Sequence, residues 1–166
     1  MDRKVVATMQ PEIEHYLKAL DHLRGEVAAL ITNVPVEGLN WRPSLPDGAD
    51  PTNSLSVLAV HLAGSEHFWM AECIGQFPAT RDRAAEFKYV ASSAEEPLAH
   101  LAKSAEETRG VLSELTPADL EDSFTRDGHI RTVRWTILHV IAHYSLHVGH
   151  MELTYQLWNN GKAIER

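Results

Sequence analysis

Four of the protein's ten histidines lie in one stretch, "HVIAHYSLHVGH", residues 139–150. His139, His143 and His147 are each four apart, and His150 follows three later. On a helix turning ~100° per residue, all four share one face. Side chains four apart have Cβ atoms ~5–6 Å from each other, so two imidazoles can converge on one ion with bonds of ~2.0–2.1 Å. The chemistry in prospect is that of a divalent cation held by neutral nitrogen ligands. A third ligand has to come from another element. His61, within "LSVLAVHLAGSEHFWMAEC", sits beside Leu58 and Leu62 on an inward face and is the candidate. Ser65, one turn on, is placed to support it. Without an ion, the same face would form a polar seam in which each buried imidazole needs its own partner. "HYSLH" has the two histidines of a zinc-peptidase helix but no Glu after the first, which excludes that peptidase chemistry.

These residues need helices to position them, and four segments carry helical periodicity. Between Pro11 and Ile31, the residues Ile13, Tyr16, Leu17, Leu20, Leu23, Val27 and Leu30 recur at threes and fours, and Pro11 suits a first turn. A second helix is expected from a cap at Asn53 or Ser54 to about Cys73, with Gly75 as its stop. A third opens at "SAEE", where Ser93 and Glu96 have capping-box spacing, and ends before Pro117. The fourth runs from Thr132 to Asn159 or Asn160, with Gly161 as its C-cap. It is apolar nearly all round, which suggests burial on two sides, in the core and at a subunit interface. "FTRDGHIRTV" can form a short hairpin on its Asp127-Gly128 turn. The connections 32–52 (with Pro35, Pro43, Pro46 and Pro51), 76–92 and 116–131 are long, so they are functional or hide small elements. No repeat or linker divides the chain, so one domain over 1–166 is expected: an all-α four-helix bundle with long loops.

Composition narrows the function classes. With 166 residues, 44% of them hydrophobic, the chain can bury a real core. A formal charge of −8, without any basic run, argues against a nucleic-acid partner. Cys73 is the only cysteine, so an internal disulfide and a cysteine metal cage are both excluded. No segment reaches the ~18 apolar residues of a membrane span, and "MDRKVVATMQPEIEHY" holds no signal-peptide core, so the expected location is cytoplasmic.

The remaining chemistry-bearing residues take structural readings first. Glu66 lies ~140° round the helix from His61, which favours an interhelical or surface pairing over general-base duty. Cys73 reads as a small buried hydrophobe. Trp69, Trp135 and Trp158 read as core or interface, and Trp41 as a pin for its Pro-rich loop. Tyr144 points away from the histidine face and packs. His15, His22, His67, His100 and His129 share no face with the stripe and default to the surface.

"NSLSVLAVHLAGSEHFW", followed far downstream by "TVRWTILHVIAHYSLHVGHM", resembles the DinB-like superfamily, including its thiol-transferase branches. So does "LNWRP" at 39–43, and the resemblance spans nearly the whole chain. It implies a four-helix bundle of up-down-down-up connectivity, usually a homodimer. It implies a divalent metal, zinc or nickel, held at positions that match His61, His143 and His147. His139 matches a position often histidine without being a ligand. Many members carry Arg-Gly-Gln after the last ligand, where this chain has Val148, Gly149 and His150, so an Arg suited to an acidic substrate is missing there. The implied activity is a metal-dependent transfer of a low-molecular-weight thiol to an electrophilic small molecule. The site chemistry also allows a metal-dependent hydrolase, or a non-catalytic module in which His139 or His150 closes the coordination sphere.

Overall fold

The structure, a computed structural model, describes residues 10–47, 49 and 52–164. The N-terminal segment read above for a signal peptide lies largely outside them, as does Pro51. Six helices and one hairpin follow in order: α1 (Pro11–Ile31), α2 (Val36–Asn40), α3 (Leu55–Glu66), α4 (Arg83–Glu86), α5 (Glu95–Ser113), β1 (Ser123–Arg126), β2 (His129–Thr132) and α6 (Val133–Trp158). The long ones, α1, α3, α5 and α6, form the expected bundle.

The pairings give the directions. Glu12 and Tyr16 at the start of α1 meet Arg134 at the start of α6, so those two run parallel. On α3 and its extension, His61 faces His143 while Trp69 faces Trp135, so α3 runs antiparallel to α6. Glu66 meets Ser104, and Gly75 lies against Val111 further on, so α3 and α5 are parallel. The connectivity is up-down-down-up. Two parallel neighbours joined in sequence need a long return, which is why residues 76–92 cannot be a tight turn.

Local chemistry sets the ends. Ser54 Oγ accepts from the Val57 amide at 3.3 Å, and Thr132 Oγ1 from the Trp135 amide at 3.1 Å, so α3 and α6 have side-chain N-caps. Gly161, at φ +83°, takes the left-handed position after α6. The hairpin turns on Asp127 (φ 50°) and Gly128 (φ 75°), both positive as a type I′ turn requires. One expected cap is corrected. Ser93 does not cap α5, which starts after Ala94 without a side-chain cap. Ser93 instead bonds Glu95, and the Glu96 carboxylate reaches back one residue further to accept from the Ser92 amide at 2.8 Å.

The core holds Ile13, Leu17, Leu20, Leu62, Met70, Leu112, Ile137 and Met151. Glu66 sits among them, fully buried. Its carboxylate accepts from Tyr144 Oη at 2.7 Å, Thr108 Oγ1 at 2.6 Å and Ser104 Oγ at 3.3 Å, and is paired with Arg24. This is the interhelical pairing expected for Glu66, and it ties α1, α3, α5 and α6 together. Tyr144 points away from the histidine face as expected, and its hydroxyl joins this network. Gly38 gives α2 its close approach to α6: a Cβ there would lie 2.6 Å from the Trp158 ring.

Candidate metal centre

Among the described residues, one group could hold a cation: His61, His143 and His147, whose ligand atoms all lie within 4.8 Å of one another. The fourth-helix register supplies two of them, because positions four apart stack one turn above the other. Their rings lie 4.5 Å apart, and each ring centroid is 5.1 Å from that of His61.

Tautomers follow from the partners. Nδ1 of His61 faces Glu86 Oε2 at 2.9 Å, which places the ring proton there and leaves the Nε2 lone pair free. Glu86 is itself gripped by Arg81, Nε to Oε1 at 2.7 Å and Nη2 to Oε2 at 2.9 Å. Burial alone would raise the Glu86 carboxyl, but the bonds from Arg81 and His61 outweigh it and hold it below the usual range. Gly64, one turn along α3 from His61, makes room: a Cβ there would collide with the Glu86 carboxylate. Nε2 of His61 then meets Nε2 of His143 at 3.3 Å. Two nitrogens each ~2.0–2.1 Å from one ion at a tetrahedral angle lie about 3.3–3.4 Å apart, so this spacing fits shared ligation. Nδ1 of His147 faces Nδ1 of His150 at 3.3 Å, leaving Nε2 of His147 for the cluster.

Burial, reinforced by His147 and His61 nearby, pushes His143 down to about 3. Burial, with His61 and His150 nearby, pushes His147 down to about 4. Both rings are therefore uncharged at neutral pH, the state a metal ligand needs.

His139 and His150 share the helical face but not the cluster. His139 stacks on Trp135, with centroids 4.9 Å apart and planes 7° from parallel, and meets Trp69 edge-on at 5.3 Å. Ser65 is buried in the wall of the adjoining cleft, and the partner of His61 is Glu86 rather than Ser65. Sequence reasoning missed Glu86 and Arg81. Glu86 ends α4 and Arg81 precedes its N-cap, in the stretch 76–92, where a single turn of helix leaves no periodic signature.

The cleft beside the cluster has a volume of about 580 Å³. Its walls include His61, His143 and His139, with Phe68, Trp69 and Glu72 from the continuation of α3. That continuation, His67–Ile74, is π-helical, a geometry that recurs at functional sites. It extends the rod to Gly75, the expected stop. Trp69 is partly buried, packed against the core as expected while also lining the cleft, and Trp135 is exposed and stacked on His139. Trp158 packs against the core, and Trp41 is half-buried in a loop pinned by its neighbours, Asn40 to Ala91 and Arg42 to Thr52. His67 departs from the surface expectation, held between Glu107 at 2.6 Å and Thr80 Oγ1 at 2.9 Å. His15, His22, His100 and His129 are exposed. Cys73 is half-buried, and burial pushes its thiol up, away from the reactive thiolate.

The family model of the DinB superfamily matches residues 19–151. A solved structure described as the conserved protein of locus from Enterococcus faecalis is similar in fold, with a TM-score of 0.73 over 92% of this chain and 99% of that one, at 15% identity. No curated protein matches in sequence.

Proposed function

The chain belongs to the DinB superfamily, and on that premise we propose that it is a divalent-metal-dependent enzyme that transfers a low-molecular-weight thiol to an electrophilic small molecule. Zinc or nickel suits three imidazoles, and His61, His143 and His147 are the residues that would hold it. Such a cation supplies Lewis acidity and favours the ionised form of a thiol. In the overall change, the thiol sulfur bonds the electrophilic carbon, the leaving group departs with its electron pair, and the thiol proton goes to solvent.

The protein's own groups do the rest. Glu86 fixes the His61 tautomer, and Arg81 keeps Glu86 ionised and in place. His139 and Trp69 line the cleft, and Trp135 stacks on His139 behind them. The observation that carries the reading is the convergence of one ring nitrogen from each of His61, His143 and His147 beside a wide cleft, with Nε2 of His61 and Nε2 of His143 3.3 Å apart. A closed four-ligand module is not favoured, because neither His139 nor His150 belongs to the group of converging ligand atoms. A homodimer is part of the same reading, supported by Leu138, Leu146, Leu153 and Leu157 exposed along α6.

The test is thiol consumption with an alkylating electrophile, using zinc- and nickel-loaded protein against the chelated form. Metal-dependent turnover that is lost in His143→Ala supports the reading. Equal rates with and without metal, across several cellular thiols, contradict it.

A further inference from the structure

Three arginines line the cleft beside the histidine cluster, in a chain whose net charge is −8. Arg81 is spent on Glu86. Arg83 and Arg126 are not. Arg83 lies with Cζ 4.9 Å over the Phe87 ring, and Phe87 in turn sits 5.0 Å from the His61 ring. Among the described residues, it has no carboxylate partner. Arg126, at the end of β1, lies 4.6 Å over Phe68. Its nearest acid is its own neighbour Asp127, with Oδ1 3.9 Å from Nε and a side chain 74% exposed, a loose pairing. The other acid in the wall, Glu72, is occupied by the Thr80 and Arg81 amides at 2.6 and 2.9 Å. Arg131 on β2 donates to the Arg126 carbonyl at 2.6 Å while its guanidinium lies over Trp69 and Trp135, which pins the hairpin to the rim.

Two guanidiniums rest on aromatic rings in the wall of one cleft, Arg83 one ring away from His61 and Arg126 only loosely paired, and such groups suit a planar anion. We propose that Arg83 and Arg126 bind the carboxylate end of the small-molecule ligand whose other end reaches His61, His143 and His147, so that the site takes carboxylate-bearing ligands over neutral ones. The thiol end of such a ligand rests on the transfer reading above, whereas the carboxylate end does not.

Calorimetric titration of full-length protein, zinc-loaded and metal-free, tests this with mercaptosuccinate, monothioglycerol, succinate and inorganic phosphate. Charge-assisted pairs predict that zinc-loaded protein binds mercaptosuccinate at least about tenfold more tightly than monothioglycerol. Both arginines are exposed, so Arg83→Ala with Arg126→Ala should leave the fold intact by circular dichroism and cut that preference to under about threefold. Arg126→Gln alone should give an intermediate loss. Succinate should bind even without zinc and lose binding in the double variant. If succinate behaves so while no thiol shows zinc-linked binding, the transfer reading fails and the carboxylate site stands. Equal affinity for mercaptosuccinate and monothioglycerol, a preference that survives the double variant, or phosphate binding more tightly than succinate would each overturn the proposal.

Discussion

Glu86 decides which nitrogen of His61 is available. It accepts the Nδ1 proton at 2.9 Å, so the free lone pair points at His143. Losing such a supporting carboxylate typically weakens metal affinity about 10–100-fold. Glu86→Gln should do so, measured by competition with a chromogenic chelator, and an unchanged affinity would remove Glu86 from this role. Gly64→Ala should act in the same direction, since its Cβ would displace the carboxylate. Helical spacing put His139, His143, His147 and His150 on one face and an apolar setting marked His61 as inward, whereas the choice of His143 and His147 among the four came from the family resemblance. Glu86 was not legible in the sequence, because its pairing with His61 spans 25 residues and depends on how α4 folds back over α3.

At the scale of elements, the buried Glu66 cluster carries the alignment of the four long helices. Tyr144→Phe removes one donor to a charged acceptor and should cost about 1.5–3 kcal/mol. Arg24→Met leaves the Glu66 carboxylate without its cation and should cost about 3–5 kcal/mol. Urea unfolding of metal-free protein reads both, and a near-zero loss for Arg24→Met would show that the pair is not holding the bundle. The helices themselves were legible from period and caps: α1 matches its expected Pro11–Ile31 bounds, and α6 opens at Thr132, where the fourth helix was expected to begin. The hairpin was legible from its Asp-Gly pair. The start of α5 was not, because Glu96 reaches Ser92, so capping-box spacing alone misplaced the cap. The π-helical stretch was also hidden, since its residues satisfy an ordinary helical pattern.

For the whole molecule, pH acts through the imidazoles. In the metal-free fold His143 is pushed down to about 3 and His147 to about 4, while in the unfolded chain both titrate near about 6.5. Between those values the unfolded chain binds more protons, so stability rises with pH. It should be fully present above about pH 6.5 and fall progressively as pH drops toward 4 and then 3. Urea midpoints across that range check the sign, and a midpoint that rises on acidification would contradict it. The exposed leucines of α6 predict a concentration-dependent dimer that Leu146→Glu with Leu153→Glu shifts to monomer in sedimentation velocity. An unshifted distribution would place the interface elsewhere. No helix among the described residues is long and apolar enough to cross a membrane. The most direct measurement is elemental analysis of tag-free protein after reconstitution with zinc or nickel and desalting. One cation per chain in the wild type and in the His139→Ala and His150→Ala variants, with loss in His61→Ala, His143→Ala and His147→Ala, is the predicted result. Retention of the cation in those last three variants, or none in the wild type, would contradict a three-histidine centre.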